Sequence, residues 1–195
     1  MPALTDRQNE IIEATIRIIS RKGIQEFTIR NLSRELGISE PAIYRHFESK
    51  TDILTALLEF VHADTIAIFD QVSGEGPALA QLEQYFSLLF SRLQQRPAVA
   101  AVVFSDEAFL NEERLAATVR ALVELTIDNT TGLLTRAQEN GEIPTDVDEH
   151  DLATLLSGGV RLLVRRWHMA SGSWNLCDRG SRVIQTFIRL IDIRT

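Results

Sequence analysis

Within GISEPAIYRHFESKTDIL, residues 37–54, one turn of chain carries Pro41, Tyr44, Arg45 and His46. A phenol, a guanidinium and an imidazole in succession can all donate hydrogen bonds to phosphate oxygens. The guanidinium can also grip a base edge through two parallel N–H groups. Pro41 and Ala42 add a flat apolar surface suited to thymine methyl groups. Ile43 and Phe47 lie four apart, so they share one helical face and belong to a core. The other side chains then point outward. A solvated helix with one exposed aromatic would satisfy the same spacing, so the neighbouring elements must decide.

Upstream, Thr28 is a good N-cap for a helix TIRNLSREL that stops at Gly37. Ser39 then caps a very short helix expected to end near Phe47. Glycine makes the tight turn, and Leu32, Leu36, Ile38, Ile43 and Phe47 pack the two helices together, which is the pattern of a helix-turn-helix. In that motif the second helix enters the DNA major groove with its early residues nearest the bases. Pro41, Ala42, Tyr44, Arg45 and His46 would face DNA.

The charge of the chain first argues against such a partner, since 27 acidic residues outnumber 20 basic ones for a net −7. Its distribution reverses the reading. Residues 1–50 hold eight Lys/Arg and seven Asp/Glu, whereas residues 51–195 hold twelve and twenty. The acidity sits in the larger C-terminal part, and the N-terminal part can approach phosphates. Both lysines, Lys22 and Lys50, are in that first segment.

The 195 residues, 45% of them hydrophobic, suffice for one medium domain or two small ones. Periodicity near 3.6 runs almost throughout, so the expected fold class is all-α with about nine helices. Thr5-x-x-Gln8 is a capping box opening the first helix, whose apolar face is Ile11, Ile12, Thr15, Ile18 and Ile19. Ser49-x-x-Asp52 opens a long fourth helix, and SGEGP at 73–77 marks a boundary. Further helices are expected at about 78–95, 97–104, 108–140, 149–171 and 175–193. The division expected is a DNA-binding domain at 1–50 and a helical domain at 51–195.

The opening residues MPALTDRQNE are too polar for a secretory signal, and the apolar run Ala98–Phe104 is too short to span a membrane. A single cysteine, Cys177, excludes an internal disulfide and fits a cytoplasmic home, where it reads as a small, partly buried hydrophobe. No Gly-rich phosphate loop, HExxH or nucleophile elbow occurs, so neither an enzyme nor a cofactor is expected. The acidic stretch Asp146–Asp151 around His150 reads as a helix start rather than a metal site.

The segment FTIRNLSRELGISEPAIYRHFESKTDIL resembles the DNA-binding domain of the TetR family of bacterial transcriptional regulators, a likeness covering roughly residues 5–65. The resemblance implies a homodimer bound to a palindromic operator, with a C-terminal domain that binds a small-molecule effector. It implies that Thr28 touches a phosphate, that Arg30 reads a base edge, and that Ser39, Pro41 and Ala42 lie against bases or sugar. By the same likeness Tyr44 and His46 clamp phosphates, and Lys50 holds one beside the fourth helix's N-terminus. Arg45 stands where the family varies and is the candidate for sequence choice. Glu40 departs from an anion-binding surface. A carboxylate there costs binding unless it accepts from a cytosine amino group or serves the helix start.

The last two helices are apolar beyond a single face, so they lie deep in their own core or are covered by a second chain. The residues expected at a dimer interface are Leu156, Val160, Leu163, Val183, Ile184, Phe187, Ile188 and Ile191. Phe86, Phe90, Phe104, Phe109 and Trp167 would line an effector cavity for a largely apolar molecule, or simply pack a core. Two roles stay open: a ligand-released repressor, and an architectural, nucleoid-associated factor acting through a protein partner, since nucleoid-occlusion factors share the fold.

Overall fold

The computed structural model describes residues 4–104 and 112–192, and the described residues are helical with no strand. Among the described residues there are nine α-helices: α1 Asp6–Lys22, α2 Ile29–Leu36, α3 Glu40–Tyr44, α4 Lys50–Val72, α5 Ala78–Gln95, α6 Pro97–Val103, α7 Glu113–Glu139, α8 Glu149–Met169 and α9 Leu176–Ile191. A 3-10 turn, Ile24–Glu26, follows α1. The expected start of α7 at residue 108 lies outside the described residues; Glu112 is described and not helical, and α7 begins at Glu113.

The chain divides into two compact units, Met1–Val61 with Arg96–Arg120, and His62–Gln95 with Ala121–Thr195. This is not the simple division at residue 50. The boundary falls inside α4, and α6 with the start of α7 returns to the first unit.

The first unit is built on α1. Its capping box forms as the sequence requires: Thr5 Oγ1 accepts the Gln8 N–H at 3.3 Å, and Gln8 Oε1 accepts the Thr5 N–H at 3.0 Å. Ile11, Ile12, Thr15, Ile18 and Ile19 are all buried, in one cluster with Phe27, Leu32, Ile43, Phe47, Leu57 and, from the returning segment, Val102 and Leu115. Burying Ile11, Leu32 and Leu57 fully is worth about 1.5–3 kcal/mol for each side chain.

The second unit has an aromatic spine. Tyr85 meets Phe69 and Phe86 edge-on, at centroid distances of 5.9 and 5.3 Å, and Phe90 follows Phe86 at 6.2 Å. The Tyr85 hydroxyl accepts from Asn129 Nδ2 at 3.2 Å, and burial raises the phenol pKa against the weaker pull of Asn129 and Thr126. At α9, Phe90 packs where a side chain at Gly180 would stand: an added Cβ would lie 2.3 Å from the ring. Two helix starts are capped from a distance. Glu142, buried, accepts the Ala78 and Leu79 N–H groups at 2.7 and 3.2 Å. Gln94 Oε1 accepts the Leu176 N–H at 2.7 Å.

Candidate nucleic-acid interface

Gly37 decides the angle at which the two short helices meet. It adopts φ +65°, ψ +29°, a left-handed conformation, while the Ile38 N–H reaches back to the Ser33 carbonyl at 3.0 Å. The chain then enters α3 through Ser39 and Glu40, with Pro41 in the first turn, where its missing N–H leaves no bond unmade. The helix ends at Tyr44, three residues before the expected end near Phe47. The His46 N–H bonds to the Ile43 carbonyl, three residues back, at 2.9 Å, and this tighter turn lets Phe47 enter the core. Arg45 and His46 therefore stand in the turn after the helix rather than on it.

Around these two helices the outward set is as the spacing requires. Thr28, Arg30, Ser39, Pro41, Tyr44, Arg45 and Lys50 are exposed, and Ala42 and His46 are half-buried. Tyr44 is 49% exposed, a large aromatic with no cover. Ser39 occupies the N-cap without a side-chain capping bond, so the expected cap is positional only and its hydroxyl remains available. Thr28 Oγ1 accepts the Asn31 N–H at 3.1 Å, which uses an acceptor lone pair and leaves the O–H to donate.

The charges are arranged to the same effect. Arg17 and Arg21 engage Glu35 at 3.2 and 3.8 Å, Arg96 engages Glu13 at 3.8 Å, and Arg7 engages Glu10. Among the described residues no carboxylate pairs with the guanidinium of Arg30, Arg34 or Arg45. Lys50, first in α4, holds its ammonium 5.3 Å from the centroid of the Phe27 ring, and desolvation lowers its pKa. Ser49 Oγ accepts the Asp52 N–H at 3.1 Å and Arg114 pairs with Asp52, so the helix start that carries Lys50 is fixed. Unpaired cations, exposed hydroxyls and one exposed phenol on adjoining helices form a surface for phosphate and base edges.

One positioning residue escaped the sequence reading. Gln8 uses its Oε1 in the α1 capping box and donates its Nε2 to the His46 carbonyl at 3.2 Å. The capping-box pattern named Gln8, but its second partner lies 38 residues away.

The sequence description "Bacterial regulatory proteins, tetR family" matches residues 11–57, and "Tetracyclin repressor-like, C-terminal domain" matches residues 75–191. The chain belongs to the TetR family. The match bears out the resemblance carried by residues 5–65, and the family is one of bacterial regulatory proteins. Nucleoid occlusion factor SlmA of Aliivibrio fischeri is 26% identical over 125 residues, 63% of this chain and 64% of that protein. The chain thus spans less than two thirds of the length of that relative. SlmA of Vibrio cholerae serotype O1 is 27% identical over 169 residues, covering 83% and 84%. Among solved structures, the fatty acid degradation regulator FadR of Bacillus halodurans superposes with a TM-score of 0.82 at 17% identity, over 94% of this chain and 95% of that one. FadR of Bacillus subtilis, solved in complex with stearoyl-CoA, gives 0.78 at 19%, over 94% and 98%. These likenesses establish the TetR-family fold over nearly the whole chain.

Three of the residues expected at a dimer interface need correction. Leu156, Val160 and Ile184, expected at a dimer interface, are buried within the chain, because α8 and α9 spend those positions on their own core. Leu163, Val183, Phe187, Ile188 and Ile191 are half-buried. The exposed apolar side chains of α8 are instead Leu155, Leu162 and Met169, spaced by seven, joined on α9 by Leu190. Of the cavity candidates, Phe86 and Phe90 are core members of the aromatic spine. Trp167 is also buried and donates its indole N–H to the Trp174 carbonyl at 3.0 Å, anchoring the turn after α8. Phe104 is half-buried in the first unit, and Phe109 lies outside the described residues. Asp148 caps α8 by accepting the Asp151 N–H at 2.9 Å, the helix-start role expected of that acidic stretch. Among the described residues no group of three His, Cys, Asp or Glu is placed to hold a metal.

Proposed function

We propose that this chain is a homodimeric, cytoplasmic repressor that binds a palindromic operator through Thr28, Arg30 and the α3 segment, and releases it when a small apolar effector binds the second unit. The observation that carries the DNA half is the unpaired cationic face around α2 and α3 in a chain of net charge −7. Residues 1–50 supply the DNA contacts and residues 51–195 the effector and dimer functions. Leu155, Leu162, Met169 and Leu190, between 59% and 79% exposed, supply the apolar surface for pairing. Two-fold pairing then sets half-sites about one helical turn, or a multiple, apart.

The effector half draws support from the stearoyl-CoA bound by the Bacillus subtilis FadR, whose fold this chain shares. Helix α4 begins with Lys50 in the first unit and continues to Phe69 and Val72 in the second, so one helix has residues in both. An effector preferring the non-binding form by about 3 kcal/mol would weaken operator affinity roughly a hundredfold.

Selection from a random duplex pool, followed by titration of the selected operator with and without acyl-CoA thioesters, tests the reading. A palindromic consensus that is released by one of these ligands supports it. Equal ligand affinity with and without operator excludes that ligand as inducer. The second reading, a nucleoid-associated factor acting through a protein partner, is favoured by the 27% identity to SlmA over 83% of the chain. Many binding sites scattered over the chromosome, rather than one or a few promoters, would select it.

A further inference from the structure

We infer that Glu40 is a base-reading residue that selects cytosine in the major groove. The assignment rests on the operator-binding reading above. Glu40 is the first residue of α3 and is exposed, and its carboxylate has no hydrogen bond or ion pair among the described residues. Several other acidic side chains of the first unit are occupied. Glu10, Glu13, Glu35 and Asp52 pair with arginines, and Glu26 accepts from Asn31. Asp6, Glu48, Glu59 and Glu112 are also unpaired, but they belong to the start of α1, the connection before α4, the middle of α4 and the residue before α7. Glu40 alone of these stands on the helix between Ser39 and Tyr44.

Capping does not account for it. A capping box in this chain joins Thr5 to Gln8, and the equivalent partner of Ser39 is Ala42, whose methyl group cannot return the bond. Ser39 itself makes no capping bond. A five-residue helix also has little dipole for a carboxylate to offset. Yet an unpaired negative charge on a phosphate-binding face weakens attraction to every sequence alike. Such a group serves recognition when it gains more at one base than it loses to the backbone.

The chemistry of the carboxylate names that base. Ionised, it accepts hydrogen bonds and donates none. Guanine presents two acceptors to the major groove, and thymine an acceptor and a methyl group, so both repel or ignore it. Adenine sets its amino donor beside the N7 acceptor. Cytosine offers its N4 amino group as the sole polar group of its edge. The ionised carboxylate of Glu40 therefore fits cytosine, with discrimination of about 5- to 150-fold over the other bases.

The test is parallel selection from a random duplex pool with the wild-type chain, Glu40→Gln and Glu40→Ala. Wild type is expected to enrich cytosine at one position of each half-site. Glu40→Gln should move that position towards adenine, because an amide can accept from N6 and donate to N7. Glu40→Ala should leave it open, and both variants should bind non-specific duplex several-fold more tightly. Thermal unfolding of the same variants reads out a structural role. Lower stability with an unchanged preference profile would overturn the assignment, as would a wild-type consensus without a fixed cytosine. Wild type enriching no sequence at all would instead overturn the operator reading beneath it.

Discussion

The side-chain amide of Gln8 donates to the backbone carbonyl of His46 at 3.2 Å, tying the first turn of α1 to the turn that follows α3. The DNA-facing segment is therefore held at its far end by a residue that faces no DNA itself. Gln8→Glu keeps an acceptor for the Thr5 N–H but loses the donor to His46. We expect it to lower operator affinity while changing stability by about 1 kcal/mol, read by denaturant unfolding beside binding. Gln8→Ala should lose cap and brace together, at about 1–2 kcal/mol of stability.

Phosphate and base contacts separate by their response to salt and sequence. Lys50→Ala should weaken all duplexes about equally and reduce the slope of log K against log salt by about 1. Tyr44→Phe should weaken all of them without changing that slope. Arg30→Ala should relax one position per half-site by about 1–3 kcal/mol, and an unchanged selection profile would end its base-reading role.

For the dimer, exposure and burial give opposite outcomes on one helix. Leu162→Glu, at a position 59% exposed, should yield a soluble and folded monomer in sedimentation. Leu156→Ala, one position from the exposed Leu155, should instead cost about 2–5 kcal/mol of stability.

Gly180 and Phe90 leave no room for each other's growth. Gly180→Ala would place a Cβ 2.3 Å from the Phe90 ring, and the resulting overpacking should cost about 1–3 kcal/mol. Adding Phe90→Leu to that variant should recover part of the loss, a coupling measurable by a double-mutant cycle.

His168 gives a pH dependence whose sign follows from its surroundings. Burial in the last turn of α8 lowers its pKa below the ordinary histidine value. The unfolded chain then binds the proton more readily than the folded one, so stability falls as pH drops below about 6.5. The loss is complete below the folded pKa. His168→Gln should flatten that part of the stability profile, measured by denaturant midpoints across neutral to mildly acidic pH.

The short-range features were legible in the residues themselves. The Thr5–Gln8 capping box, the Thr28 cap, the Gly37 turn and the burial of Ile43 and Phe47 each depend on neighbours within a few positions. Periodicity likewise named the helical class, and the segment from Phe27 to Leu54 carried the family. What only the tertiary structure decided is long in sequence separation. Glu142 caps α5 from 64 residues away, Gln94 caps α9 from 82 away, and the compact units divide α4 at Val61. The faces of α8 and α9 belong to the same class. Leu155 and Leu156 are adjacent and equally apolar, yet one is 71% exposed and the other 3%. Hydrophobicity identifies a surface that must be covered. Which neighbour covers it is settled by how the helices pack, and that information is not local to any stretch of the chain.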